Sequence, residues 1–145
     1  MSPQTPLPAK LAPVAAGGTI GTALRAAVAV AFGSANLPAT LLVNVVGAFA
    51  LALLAAMLAP ALGAEPSSKQ QNLNLFFGTG LLGGFTTYST FAFDSASLYL
   101  AGGTGYLSRD LPLALTYGGL TLVLGALATG VGLWVGARWR KARQR

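Results

Sequence analysis

The stretch GGFTTYST at residues 83–90 sets two glycines, three threonines, a serine and a tyrosine inside otherwise apolar sequence. Glycine, serine and threonine are poor helix formers, and threonine is stiffened by its β-branch. A helix interrupted here would free backbone N–H groups and carbonyls within a membrane. That is tolerated only where protein or a water-lined cavity satisfies them. Freed N–H groups and half-helix N-termini favour anions, while freed carbonyls hold a cation. The segment therefore reads as an ion site; the alternative is a kink filled by neighbouring side chains.

The remaining polar side chains of the apolar sequence extend this reading. Asn44 lies in ATLLVNVVGAF, with Thr40 one turn earlier on the same helical face. Its amide offers two donors to an anion, or else makes an interhelical hydrogen bond. Tyr117 and Thr121 stand four apart, with Gly125 continuing their face. They form a hydroxyl track along a narrow passage, or a packing seam whose hydroxyls bond carbonyls one turn back. Tyr88 and Phe91, three apart, offer ring edges of partial positive charge to an anion, although aromatic pairs at this spacing are often core. Arg25 either snorkels to the interface or concentrates anions at a vestibule. Asp94 is the only acid inside a span. Hydroxyls, an amide and aromatic edges make a donor-rich route for a small hydrated anion. They do not make a carboxylate cage for a divalent metal or a proton relay.

Composition says what must position these groups. Of the 145 residues, 54% are hydrophobic and 8% charged, against roughly a quarter charged in a soluble domain. Such a chain belongs in a bilayer. The lack of cysteine and histidine removes thiolate chemistry and the commonest general base and metal ligand. No enzymatic arrangement stands out. The net charge of +6 is no argument for nucleic acid, because Arg138, Arg140, Lys141, Arg143 and Arg145 crowd the last positions and read as a membrane-surface anchor.

Four apolar segments approach the ~20 residues of a crossing helix: about 11–32, 38–62, 73–101 and 111–137. The connectors 33–36, 63–72 and 102–110 are rich in turn formers. Residues 1–10 read as a loose arm and 138–145 as a basic tail. The fold class is a single all-α membrane domain, residues 1–145, of four transmembrane helices with the third broken in the middle. Gly17 with Gly21, Gly80 with Gly84, and Gly132 with Gly136 are spacings that let helices approach closely, either inside one bundle or between subunits.

These motifs, GGTIGTALR (17–25), ATLLVNVVGAF (39–49) and GTGLLGGFTTYSTFAFD (78–94), resemble the Fluc (CrcB-like) fluoride channels over most of the chain. The resemblance implies a passive, fluoride-specific channel that lowers fluoride toxicity. It implies an inverted dimer of two four-helix subunits, with the partner a second copy or a homologous chain, in the cell (plasma or inner) membrane. It implies a structural sodium ion at the dimer centre, held by the backbone carbonyls of Gly83 and Thr86. Asn44 would contact fluoride, Tyr88 and Phe91 would take the two aromatic pore positions, and Arg25 would match the first-helix arginine. Tyr117 and Thr121 would match the fourth-helix polar track, while Thr40, Ser89 and Thr90 join the pathway. Three residues depart from the family pattern: Tyr88 for phenylalanine, Asp94 for glutamate, and Gly125 where a serine can extend the track.

A competing reading is a small four-helix, proton-coupled multidrug or cation exporter, for which Asp94 would have to be the coupling carboxylate. A structural membrane adaptor is a second. The charges pose a separate problem. Four spans put Lys10, Lys69 and the five tail residues on one side and Arg109 on the other. The positive-inside rule would hold the termini in the cytoplasm, whereas an inverted homodimer needs both orientations.

Overall fold

The computed structural model describes residues 7–33, 36–60, 64–100 and 111–143. Among these, all regular structure is helical. Helix α1 spans Leu7–Phe32 and α2 spans Asn36–Leu58. A short α3 (Ser68–Leu73) widens into a π-helix (Asn74–Leu82) and one α turn, α4 (Gly83–Phe85). After an interruption come α5 (Tyr88–Leu100) and α6 (Leu111–Arg143). Among the described residues, three helices are long and apolar enough to cross a membrane uninterrupted: Lys10–Phe32, Leu37–Leu58 and Leu111–Ala142. The third apolar segment is bent, so its ability to cross rests on how its break is satisfied.

The ends of these helices have local causes. Gly33, at φ +60, closes α1 in the left-handed conformation that favours glycine, its N–H reaching the Val30 carbonyl at 3.1 Å. Helix α2 stops at Leu58, short of the expected 62, because Pro60 disfavours helical backbone at Ala59. The connector expected at 63–72 is partly helix. A capping box starts α3: Gln70 N–H donates to Ser67 Oγ at 3.3 Å, and Ser67 N–H donates to Gln70 Oε1 at 2.8 Å. At the N-terminus the expected arm is helical from Leu7, and residues 1–6 lie outside the described residues. So does the connector 102–110. The basic tail is not separate from the fourth span, since α6 runs on to Arg143.

Packing follows the small residues. Helix α2 lies along α6, α1 lies along the π segment and α4, and α5 packs on α6 and α2. A Cβ at Gly80 would sit 2.8 Å from the Val14 carbonyl, and one at Gly84 2.6 Å from that of Gly18. Gly17 and Gly21 press equally closely on the Phe76 and Leu81 carbonyls. On the other side a Cβ at Gly132 would lie 2.5 Å from the Phe49 carbonyl. All three glycine pairs therefore serve contacts inside the chain.

Burial runs opposite to that of a water-soluble domain. The buried apolar residues are mostly small (Ala39, Val43, Ala52, Ala114), with Tyr117 beside them, and Thr40, Thr87, Asp94 and Thr121 are buried among them. Large side chains face outward, Val30 at 80% exposure and Leu122 at 68%. Lipid or a neighbouring subunit, and not water, makes that arrangement favourable.

Candidate functional site

The interruption of the third segment is narrower than the eight-residue break the sequence suggests. Helix persists through Phe85 and resumes at Tyr88, leaving Thr86 and Thr87 outside it. Gly83, Ser89 and Thr90 are helical. Thr86 turns extended at φ −74, ψ 158, yet its N–H still donates to the Leu82 carbonyl at 3.0 Å, as does its Oγ1 at 3.0 Å. Thr87 Oγ1 accepts the Thr90 N–H at 3.1 Å, the bond of an N-cap threonine. The two threonines thus end one half-helix and begin the next.

Asn44 closes the gap from α2. Its Oδ1 accepts the Thr87 N–H at 2.8 Å, and its Nδ2 donates to the Thr87 carbonyl at 3.0 Å. One side-chain amide satisfies both backbone groups of the most buried residue in the break, as a neighbouring strand would. The interhelical reading of Asn44 is therefore realised, and the amide retains a second N–H. The same clamp has a consequence for Gly83. In a continuous helix the Thr87 N–H would bond the Gly83 carbonyl; here it is diverted to Asn44.

Two grooves flank this point, with Thr87 in the wall of both. The first, of about 420 Å³, lies between α1, α2 and α5 and is lined by Thr22, Arg25, Thr40, Thr87, Thr90 and Asp94. Thr40 donates to Asp94 Oδ2 at 2.7 Å, so the one buried acid among the described residues has its hydrogen-bond donor. Arg25 Nη1 reaches the Thr86 carbonyl at 3.4 Å. The second, of about 440 Å³, lies between α2, α5 and α6 and is lined by Asn44, Gly47, Thr86, Thr87, Tyr88, Phe91, Thr121, Gly125 and Thr129.

The sequence-derived residues are thus divided between two grooves and do not form one lining. Asn44, Tyr88, Phe91 and Thr121 share the second; Arg25, Thr40 and Thr90 share the first. Tyr88 is 82% exposed at the groove edge, its ring 6.2 Å from that of Phe91. Phe91 also packs on Tyr117 at 5.9 Å. Tyr117 Oη donates to the Leu37 carbonyl at 3.4 Å, and Thr121 Oγ1 donates back to the Tyr117 carbonyl at 2.8 Å. The fourth-helix hydroxyls therefore bond as a packing seam would, while Thr121 still borders the groove. Ser89 is exposed, its hydroxyl 3.3 Å from that of Thr87. Gly83 is exposed on the outer side of its turn.

Two residues escaped the sequence reading. Thr87 stood inside the quoted motif without a role, though a threonine directly before a resumed helix is an N-cap candidate. Thr129 continues the Thr121–Gly125 face by one more turn, and its hydroxyl bonds the Gly125 carbonyl at 2.9 Å. Following the four-residue spacing beyond the glycine would have found it.

Residues 12–133 match the family described as CrcB-like protein, Camphor Resistance (CrcB). The chain belongs to the CrcB-like family. Its curated relatives carry a more specific name. A protein of Hyphomonas neptunium named fluoride-specific ion channel FluC is 40% identical over 130 residues, covering 86% of this chain and 93% of the relative. One of Agrobacterium fabrum with the same name is 39% identical over 128 residues, 86% of this chain and 98% of the relative. In Leifsonia xyli a fluoride-specific ion channel FluC 2 is 37% identical over 123 residues, 83% of this chain and 79% of the relative. The CrcB-like match covers the break, its Asn44 clamp and both grooves, and ends within α6 at residue 133.

Proposed function

We propose that this chain is a fluoride-specific channel through which cytoplasmic fluoride leaves the cell passively, lowering its toxicity. The observation that carries the reading is the groove lined by the Asn44 amide, threonines and aromatic edges beside a clamped helix break, in a chain whose CrcB-like relatives are named fluoride-specific channels. Fluoride entering an acid-exposed cell as neutral HF dissociates in the more neutral cytoplasm and is trapped. A pore returns the anion down its gradient, assisted by an inside-negative potential. Such a pore needs partners that replace hydration without holding the ion too tightly to release it. The second N–H of Asn44 and the Phe91 edge are of that kind; the Thr121 and Thr129 hydroxyls would serve only by releasing the Tyr117 and Gly125 carbonyls.

The physiological unit is an inverted dimer in the cell membrane, each chain crossing four times. This is supported by the outward-facing apolar side chains and by grooves that stay open on the isolated chain. A structural sodium ion at the dimer centre fits the Gly83 and Thr86 carbonyls. The first loses its helical donor to Asn44, and the second leaves the helix at an extended residue. Carbonyl oxygens are hard ligands suited to such an ion. Arg25 reaches the same Thr86 oxygen, so guanidinium and sodium are alternative partners for it. When bound, the ion would be coordinated by these carbonyl oxygens and would hold two breaks together.

Liposomes containing only this protein test the function: fluoride efflux is expected, with chloride largely retained. Proton-gradient-dependent export of an organic cation without fluoride flux would overturn the channel and favour the exporter. For sodium, replacing it with a large organic cation is expected to lower the unfolding temperature of the purified dimer in detergent. An unchanged temperature would remove the sodium site.

A further inference from the structure

The last three turns of α6 carry two faces with different partners. Gly132, Gly136 and Arg140, at successive spacings of four, lie against α2. Both glycines meet its backbone, and Arg140 Nη1 donates to the Ala59 carbonyl at 3.4 Å. Trp134, Arg138 and Lys141, spaced by four and three, form the other face, and all three are exposed. The Arg138 guanidinium lies 3.9 Å from the centre of the Trp134 ring, so ring and charge are held together.

The length of α6 says what surrounds this face. Its 33 residues span about 50 Å at 1.5 Å per residue, well beyond a hydrocarbon core of about 30 Å. Its basic end therefore stands at or beyond the lipid boundary. From Trp134 to Lys141 the helix rises about 10 Å, enough to cross a headgroup layer of about 5–8 Å on one side of a bilayer. Tryptophan suits that boundary and basic groups the phosphates above it. No acid occurs anywhere in α6 to compensate the charge.

We propose that the Trp134–Arg138–Lys141 face is a headgroup site for an anionic phospholipid. The indole sits at the acyl–headgroup boundary, and the two cations hold the phosphodiester. An uncompensated pair of cations selects lipid of net negative charge over zwitterionic lipid, whose own amine offsets its phosphate. Arg140, fixed on the end of α2, keeps the face turned away from the bundle. The proposal depends on the membrane placement and not on the ion conducted, so it stands or falls separately from fluoride conduction.

The test uses the full chain in mixed micelles of equal phosphatidylglycerol and phosphatidylcholine. Lipid retained after gel filtration is counted by mass spectrometry. The unmodified chain is expected to retain phosphatidylglycerol several-fold over phosphatidylcholine. R138Q/K141Q should fall to the bulk ratio, while R138K/K141R, which keeps both charges, should hold the enrichment and show that the altered positions fold. Equal retention by the unmodified chain, or undiminished enrichment in R138Q/K141Q, would overturn the proposal. So would displacement of the lipid by millimolar inorganic phosphate, which would make this a free-anion site.

Discussion

Asn44 combines two tasks that are separable by substitution. Its oxygen and one N–H hold the Thr87 backbone, and its second N–H is available to an anion in the adjoining groove. Asn44→Ala strands both groups of buried Thr87, at a cost of about 1–3 kcal/mol. It should lower the unfolding temperature in detergent and reduce fluoride efflux together. Asn44→Asp keeps the acceptor for the Thr87 N–H but adds negative charge on an anion route, so flux should fall with a smaller loss of stability. Flux lost equally in both, with identical melting, would reduce Asn44 to its structural role. Phe91→Ile should lower flux and keep the fold, because Phe91 is only half-buried at the groove. Wild-type flux in that variant would reduce the ring to packing.

Glycines on one helix differ in what they touch, and this separates close packing from mere composition. A Cβ at Gly132 would meet the Phe49 carbonyl at 2.5 Å and the Ala52 Cβ at 3.0 Å, whereas one at Gly130 meets nothing within 4 Å. Backbone cannot move aside cheaply. Gly132→Ala should therefore destabilise by about 1–3 kcal/mol, while Gly130→Ala should be neutral or gain up to about 1 kcal/mol of helix propensity. Thermal unfolding of both variants checks the pair. Destabilisation by Gly130→Ala would mean that a neighbouring subunit, and not this chain, packs on that face.

The assembled molecule meets a conflict between charge and symmetry. Helix α6 delivers Arg138, Arg140 and Lys141 to the end that also carries Lys10 and Lys69. That bias favours one orientation, while an inverted homodimer requires two. A basic end that binds anionic headgroups eases the conflict, since it is satisfied in whichever leaflet it reaches. With a C-terminal tag, accessibility is expected from both sides of intact cells in comparable amounts. A tag found only inside, in cells that lack a second homologue and still export fluoride, would exclude the inverted arrangement.

The amino-acid sequence by itself determined the solvent, the helical class and the place of the break. Charge content, apolar lengths and the clash between GGFTTYST and its surroundings are properties of local composition, and the family motifs lie in contiguous stretches. Tertiary structure decided what local composition cannot encode. The break is two residues long because Asn44, far away in the chain, satisfies the Thr87 backbone and lets helix persist on either side. Thr40 faces Asp94 and not Asn44's groove because α2 shows different flanks to α5 and to α6. The glycine pairs lie inside the chain because specific helices meet there, whereas their spacing would serve a subunit interface equally well. Spacing specifies a face; only packing specifies what that face meets.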